Sequence, residues 1–131
     1  MNWQTSMDET QGDRPLRAIE RETLEALLSV DFTGVAELRA QVSLARFAAA
    51  EPTGREPSFN VTIPKDAPRS AFPGNLAPIA AYVYDSEQGY TGEFLIWIAH
   101  GYLAGVEYAW VTDEPPIDLP DPSSIQVSVK N

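Results

Sequence analysis

Cysteine is absent from this chain, which excludes disulfides, thiol nucleophiles and thiolate metal sites together. Lysine and arginine are absent from Ser70 through Val129, although the same stretch carries eight carboxylates. Residues 1–69 hold eight basic and eleven acidic side chains (8 − 11 = −3), and residues 70–131 hold one and eight (1 − 8 = −7), which together give the net −10. A surface of one sign repels nucleic acid and anionic lipid and steers basic partners toward itself. Apolar runs of the ~18 residues that a membrane span needs are missing as well. The first residues, Met1 to Asp13, are polar and acidic without the apolar core of a signal peptide. The expectation is a soluble cytoplasmic protein that binds neither membrane nor nucleic acid.

Catalytic signatures are equally scarce. His100 is the single histidine, and an imidazole base needs an orienting carboxylate and a reacting group within hydrogen-bond reach. It stands beside Gly101 in a tight turn, where solvent exposure is the expected role. Gly-x-Ser-x-Gly, Gly-x-x-x-x-Gly-Lys and Gly-x-Gly-x-x-Gly are all missing. Asp113, Glu114, Asp118 and Asp121 lie close in sequence, but they lack the central glycine and terminal glutamate of a calcium-binding loop. The sequence therefore predicts no catalytic residue, no cofactor and no metal. Asn60-Val61-Thr62 forms a glycosylation sequon, read here as a chance triplet.

What is present describes one α+β domain. A length of 131 residues suits a single core that buries roughly two thirds of the unfolded chain's surface. Residues 1–12 lack periodicity and are expected to be a disordered tail, with order over 13–131. Asp13 as cap, Pro15 in the first turn and the stripe Leu16, Ile19, Leu24, Leu27, Leu28 predict a helix ending near Ser29. Thr33 is expected to cap a second helix carrying Val35, Leu38 and Val42 on one face. Leu44–Ala50 and Phe59–Ile63 read as a hairpin turning over Glu51–Gly54. Pro64, Pro68, Pro73 and Pro78 then punctuate a long connection that cannot be helix interior or central strand. It reads as a crossover at one end of the sheet, with a binding loop as the alternative.

Ile79–Tyr84, Glu93–Ala99 and Tyr102–Thr112 are rich in β-branched and aromatic residues, which predicts an antiparallel meander. In the middle strand Phe94, Ile96 and Ile98 alternate with Leu95, Trp97 and Ala99, so both faces read as covered. Ile125, Val127 and Val129 alternate with polar residues as a half-exposed closing strand. The predicted fold is two N-terminal helices packed on a mainly antiparallel sheet of five to six strands. Glu107 falls mid-strand on the face of Leu103 and Val111, where a buried carboxylate would need an edge or an arginine such as Arg39 or Arg46.

Two segments carry a resemblance. Leu27-Leu28-Ser29-Val30-Asp31-Phe32-Thr33-Gly34-Val35-Ala36-Glu37-Leu38-Arg39 and Gly101-Tyr102-Leu103-Ala104-Gly105-Val106-Glu107-Tyr108-Ala109-Trp110-Val111-Thr112-Asp113-Glu114-Pro115-Pro116 resemble segments of a family of short, uncharacterised bacterial proteins. The resemblance implies a bacterial α+β domain, with no activity and no catalytic residue attached.

Two functional readings follow. Strand parity places Tyr82 and Tyr84 on one face and Tyr102, Tyr108 and Trp110 on one face, so a single sheet face can carry these rings and Trp97. If uncovered, that face has the composition of a protein-binding surface. The first reading is a non-enzymatic interaction domain of the inhibitor or immunity type, covering a basic protein with Trp110, Tyr108, Asp113, Glu114, Asp118 and Asp121. The second is a small-ligand-binding domain or unrecognised enzyme, with a pocket between sheet, helices and the proline-rich loop. A homo-oligomer through an exposed sheet face is compatible with either.

Overall fold

The computed structural model describes residues 13–50 and 57–130. The expected tail at 1–12 and the hairpin turn at 51–54 lie outside these. Among the described residues the elements are β1 (Arg14–Pro15), α1 (Ala18–Leu27), α2 (Val35–Val42), β2 (Arg46–Ala50), β3 (Phe59–Thr62), β4 (Ile79–Tyr84), β5 (Tyr90–Ala99), β6 (Tyr102–Trp110), a 3₁₀ turn (Pro122–Ser124) and β7 (Ile125–Val129). The strands form one seven-stranded sheet in the order β1-β2-β3-β6-β5-β4-β7, and every pairing is antiparallel. The sequence predicts six of these strands. The seventh, β1, is two residues long and has no periodicity to betray it.

Both helices begin differently from the sequence expectation. Asp13 does not cap α1; it pairs with Arg46 at 2.6 Å, and Pro15 lies in β1 opposite Arg46. The first turn is instead closed by Glu20, whose carboxylate accepts the Arg17 backbone N–H at 2.8 Å and so satisfies one orphan donor of the helix start. Thr33 does not cap α2. Gly34 holds that position at φ +86°, a left-handed conformation that costs glycine little, and Val35 N–H donates to the Phe32 carbonyl in a turn. Beyond these starts the stripes behave as read: Leu24 and Leu27 from α1, Leu28 at its C-cap, and Val35, Leu38 and Val42 from α2 enter one core with Phe94, Ile96, Ile98, Val106 and Tyr108.

Both helices therefore cover the same face of the sheet. A β-bulge decides which side chains of β6 join them. Trp97 pairs with Gly105 but Ile98 pairs with Leu103, so Ala104 is an extra residue and the inward/outward alternation shifts by one there. Tyr102 lies opposite Ala99 on the uncovered face, whereas Tyr108 lies opposite Phe94 on the covered one. Glu107, opposite Leu95, faces away from Leu103.

The proline-rich connection is a crossover packed across the sheet end at the β5–β6 turn. Ser70 N–H donates to the Gly101 carbonyl, and Arg69 Nε donates to the His100 carbonyl at 2.8 Å. Phe72 meets Phe32 edge-on with centroids 5.8 Å apart. Leu76 then bridges Trp97 in antiparallel fashion, leading the chain into β4. Gln41, fully buried, ties the three parts together: Nε2 donates to the Pro68 and Gly101 carbonyls, and Oε1 accepts the Leu103 N–H.

Candidate functional site

β5 is central in the sheet, but the expectation that both its faces are covered is not met. Phe94, Ile96 and Ile98 face the helices and are buried, while Trp97 on the other side is 41% exposed. Among the described residues nothing helical lies over that side. Cross-strand pairing assembles its surface, because residues directly opposite share a face. Leu76 and Tyr102 join Trp97 and Ala99; Tyr82 lies opposite Glu93, and Glu107 opposite Leu95. Tyr90 stands 6.0 Å from the rings of both Tyr82 and Tyr84.

Along β5 this face runs Tyr90, Glu93, Leu95, Trp97, so Glu93, and Glu107 beside Leu95, lie between the tyrosine cluster at one end and Trp97 with Leu76 and Tyr102 at the other. Trp97 Nε1 donates to Glu107 Oε1 at 3.0 Å, which fixes the indole without burying it. Partial burial, followed by the neighbouring Glu93 carboxylate, holds the Tyr90 phenol above its ordinary value. Each of these residues lies between Ser70 and Val129, a stretch without lysine or arginine, and the Tyr102 hydroxyl donates to the Lys65 carbonyl beside it at 3.1 Å. The sequence holds one signal for this side: Glu93 shares its parity with Leu95, Trp97 and Ala99, and an acid in register marks the solvent face.

The six residues expected to contact a partner are not brought together. Tyr108 is only 3% exposed and stacks on Phe94 with centroids 4.7 Å apart; its place in the contact surface is corrected by the bulge at Ala104. Trp110 packs against the core. Asp118 accepts two hydrogen bonds from the Arg17 guanidinium, at 3.1 and 3.0 Å, which hold its carboxyl below the ordinary value. Asp121 accepts from the Ser123 N–H and hydroxyl at the start of the 3₁₀ turn; these bonds lower its carboxyl. Asp113 and Glu114 are exposed, and their carboxylates have neither an ion pair nor a hydrogen bond among the described residues. Leu119 is buried in the core and Asp118 reaches the start of α1, so this loop runs on the helix side, away from the aromatic patch.

Other places offer less. A hollow of ≈ 470 Å³ lies between the proline-rich loop and the β5–β6 turn, lined by Arg69, Phe72, Asn75 and His100 among others. The Ser70 hydroxyl beside it donates to the Gly34 carbonyl and accepts from the Phe72 N–H, so it is committed to holding the loop. A second hollow of ≈ 550 Å³ lies between the helices, lined by Arg21, Glu25, Leu28 and Arg39. Glu20 is buried, which pushes its carboxyl up, but hydrogen bonds from Arg14 and Arg17 outweigh burial and leave it below the ordinary value. Both of its oxygens are engaged by those two arginines, and the Arg14 guanidinium lies 3.8 Å over the Phe47 ring. Among the described residues no group of three or more histidine, aspartate or glutamate side chains is placed to hold a metal, and no helix is long and apolar enough to cross a membrane.

No protein-family model, curated protein or solved structure matches the chain.

Proposed function

We propose that this is a cytoplasmic, non-enzymatic interaction domain that receives a basic protein on the open face of its sheet, with Trp97 as the anchor. The observation that carries the reading is the exposed Trp97–Leu76 surface, with Glu93, Glu107 and exposed Tyr90 further along the same face and no lysine or arginine from Ser70 to Val129. Contiguous exposed aromatic surface rimmed by polar groups is what protein contact surfaces present. Acidic rim charges speed encounter with a cationic partner and reject anionic ones. An arginine of the partner can lie over the indole, a cation on the face of the ring. Nucleic acid fits poorly, since base-stacking surfaces come with a positively charged groove.

An inhibitor or immunity-type role suits this arrangement, because such a protein needs only to cover a basic surface. The resemblance of residues 101–116 to short bacterial proteins belongs to the same proposal and adds no activity to it. The test is affinity capture from the source cell by the unmodified chain, by Trp97→Ala and by the pair Glu93→Gln with Glu107→Gln. A basic protein held by the unmodified chain, weakened about tenfold or more by Trp97→Ala and slowed in association by the charge-neutral pair, supports the assignment. Capture that is equal for all three overturns it.

A further inference from the structure

The two edges of the sheet are built differently. β1, at one edge, is two residues long; Pro15 brings no N–H, and a bulge between Phe47 and Ala49 follows in the adjacent strand. Short strands, proline and bulges are the features that discourage further strand addition. β7, at the other edge, has none of them: Ile125-Gln126-Val127-Ser128-Val129 contains no proline, no glycine and no charge.

Its outward hydrogen-bonding groups follow from the ladder to β4. The register pairs Ile79 with Val129, Ala81 with Val127 and Val83 with Ile125, and the Lys130 N–H donates to the Pro78 carbonyl at 2.8 Å. That bond flanks the Ile79–Val129 pair, which is therefore a non-hydrogen-bonded pair, and alternation makes the other two alike. The N–H and C=O groups of Ile125, Val127 and Val129 consequently point away from β4. The Ile125 N–H is taken by the Pro122 carbonyl. Among the described residues, left along the edge are the Ile125 carbonyl, both groups of Val127 and both groups of Val129.

We propose that β7 is a self-complementary docking edge, and that a second copy of this chain pairs with it antiparallel about a two-fold axis through Val127, joining two sheets into one. In that register Val127 and the partner's Val127 exchange N–H and C=O, while Val129 N–H donates to the carbonyl of the partner's Ile125, and the reverse. The one edge donor already used, that of Ile125, faces only the carbonyl of the partner's Val129, so no buried donor is stranded. The side chains agree with this pairing. Val127 meets its own image and Ile125 meets the partner's Val129 on the helix side, which covers half-buried Ile125 and Val127 and exposed Val129; opposed β-branched pairs of this kind stabilise sheets. Gln126 meets the partner's Ser128 on the other side, an amide opposite a hydroxyl. Charge separates this edge from the open face as a dimer contact, because two open faces apposed would set Glu93 and Glu107 against a second acidic surface, whereas β7 opposes no like charges. The proposal is independent of the open-face assignment, since β7 contributes none of Trp97, Glu93 or Glu107.

Sedimentation equilibrium of the whole chain over a micromolar concentration series tests it, with salt as a second variable. The expected result is a monomer–dimer equilibrium that tightens as salt screens the repulsion between two copies of net charge −10. Val127→Pro removes an outward donor without removing a bond to β4, and should raise the dissociation constant about tenfold or more. A second set reads the register itself: Gln126→Lys with Ser128→Lys opposes like charges and should give monomer, while Gln126→Glu with Ser128→Lys opposes unlike charges and should keep the dimer. Circular dichroism confirms that each variant is folded. Hydrogen exchange supplies a readout that needs no substitution, since the Val127 and Val129 amides should gain protection with concentration. A chain that stays monomeric at every concentration and salt, or a dimer indifferent both to Val127→Pro and to the sign of the 126/128 charges, overturns the proposal.

Discussion

Gln41 and Leu103 are 62 positions apart in the chain, yet the Leu103 N–H donates to Gln41 Oε1 at 2.9 Å in a buried site. The same amide holds the Pro68 and Gly101 carbonyls through Nε2, so one side chain satisfies backbone groups from the crossover, the β5–β6 turn and β6. Replacing it by an apolar residue of similar length leaves a buried N–H unsatisfied. Gln41→Met should therefore lower stability by about 2–4 kcal/mol, since each orphaned buried group costs about 1–3 kcal/mol; urea denaturation measures it. A loss below about 1 kcal/mol, no more than a typical single hydrogen bond contributes, would show that the amide is not the junction described.

Acid should act through Glu20. Its carboxyl lies below its ordinary value of 4.5 because Arg14 and Arg17 outweigh burial, and Asp118, lowered by Arg17, lies in the same network. A carboxyl depressed on folding stabilises fully above its unfolded value, and that contribution disappears as pH falls through the folded value. Stability is therefore expected to be level near neutrality and to fall below about pH 4.5. Glu20→Gln should cost about 1.5–3 kcal/mol at pH 7 and flatten that acid slope. Thermal melts across pH decide, and an unchanged slope in the variant would assign the acid sensitivity elsewhere.

Two glycines leave room for different parts of Ser70. Gly101 sits at φ +84°, and a Cβ there would stand 2.5 Å from the Ser70 carbonyl oxygen; Gly34, at φ +86°, would drive a Cβ into the Ser70 hydroxyl. Gly101→Ala should cost more than the ~1–2 kcal/mol of a left-handed residue alone, because backbone rather than a mobile side chain is in the way. His100 also has positive φ, 55°, but as a non-glycine residue, so His100→Gly should be neutral or stabilising by up to about 1 kcal/mol. Opposite signs for these adjacent substitutions are the expected outcome in chemical denaturation; a destabilised His100→Gly would mean that the imidazole holds the turn.

Comparing Trp97 with Tyr108 separates the two faces of the sheet. Tyr108→Ala removes a ring stacked on Phe94 and should cost about 3–5 kcal/mol. Trp97→Ala removes a partly exposed ring held by one carboxylate and should cost about 1 kcal/mol. Comparable losses would place both rings in the core.

The architecture was largely legible because its signals are local. The stripe Leu24, Leu27, Leu28 and the run Ile79–Tyr84 each state their element within a few residues, and tight turns order the meander. The site was less legible because its signals are not. Ala104 reads as any other small strand residue, but as a bulge it reverses the parity of everything beyond it, sending Tyr108 and Trp110 inward and Glu107 outward. Parity counted from Tyr102 therefore assigns both aromatics to the wrong side. Asp118 and Arg17 meet across 101 positions, a distance over which no spacing rule acts, so a loop that reads as solvated acid holds a structural pair. Thr33 and Asp13 are good capping residues by type, yet Gly34 takes the N-cap of α2 and the Glu20 carboxylate closes the start of α1, while Asp13 pairs with Arg46.

The inequality of the sheet edges bears on how large an assembly this chain can build. A strand added to β7 consumes the receptive edge of the molecule that takes it, and the opposite margin, with its two-residue strand and Pro15, offers little to continue the ladder. Pairing through β7 is thus a terminating reaction rather than a propagating one. With that edge alone receptive among the described residues, raising the concentration would fill it without seeding a fibre.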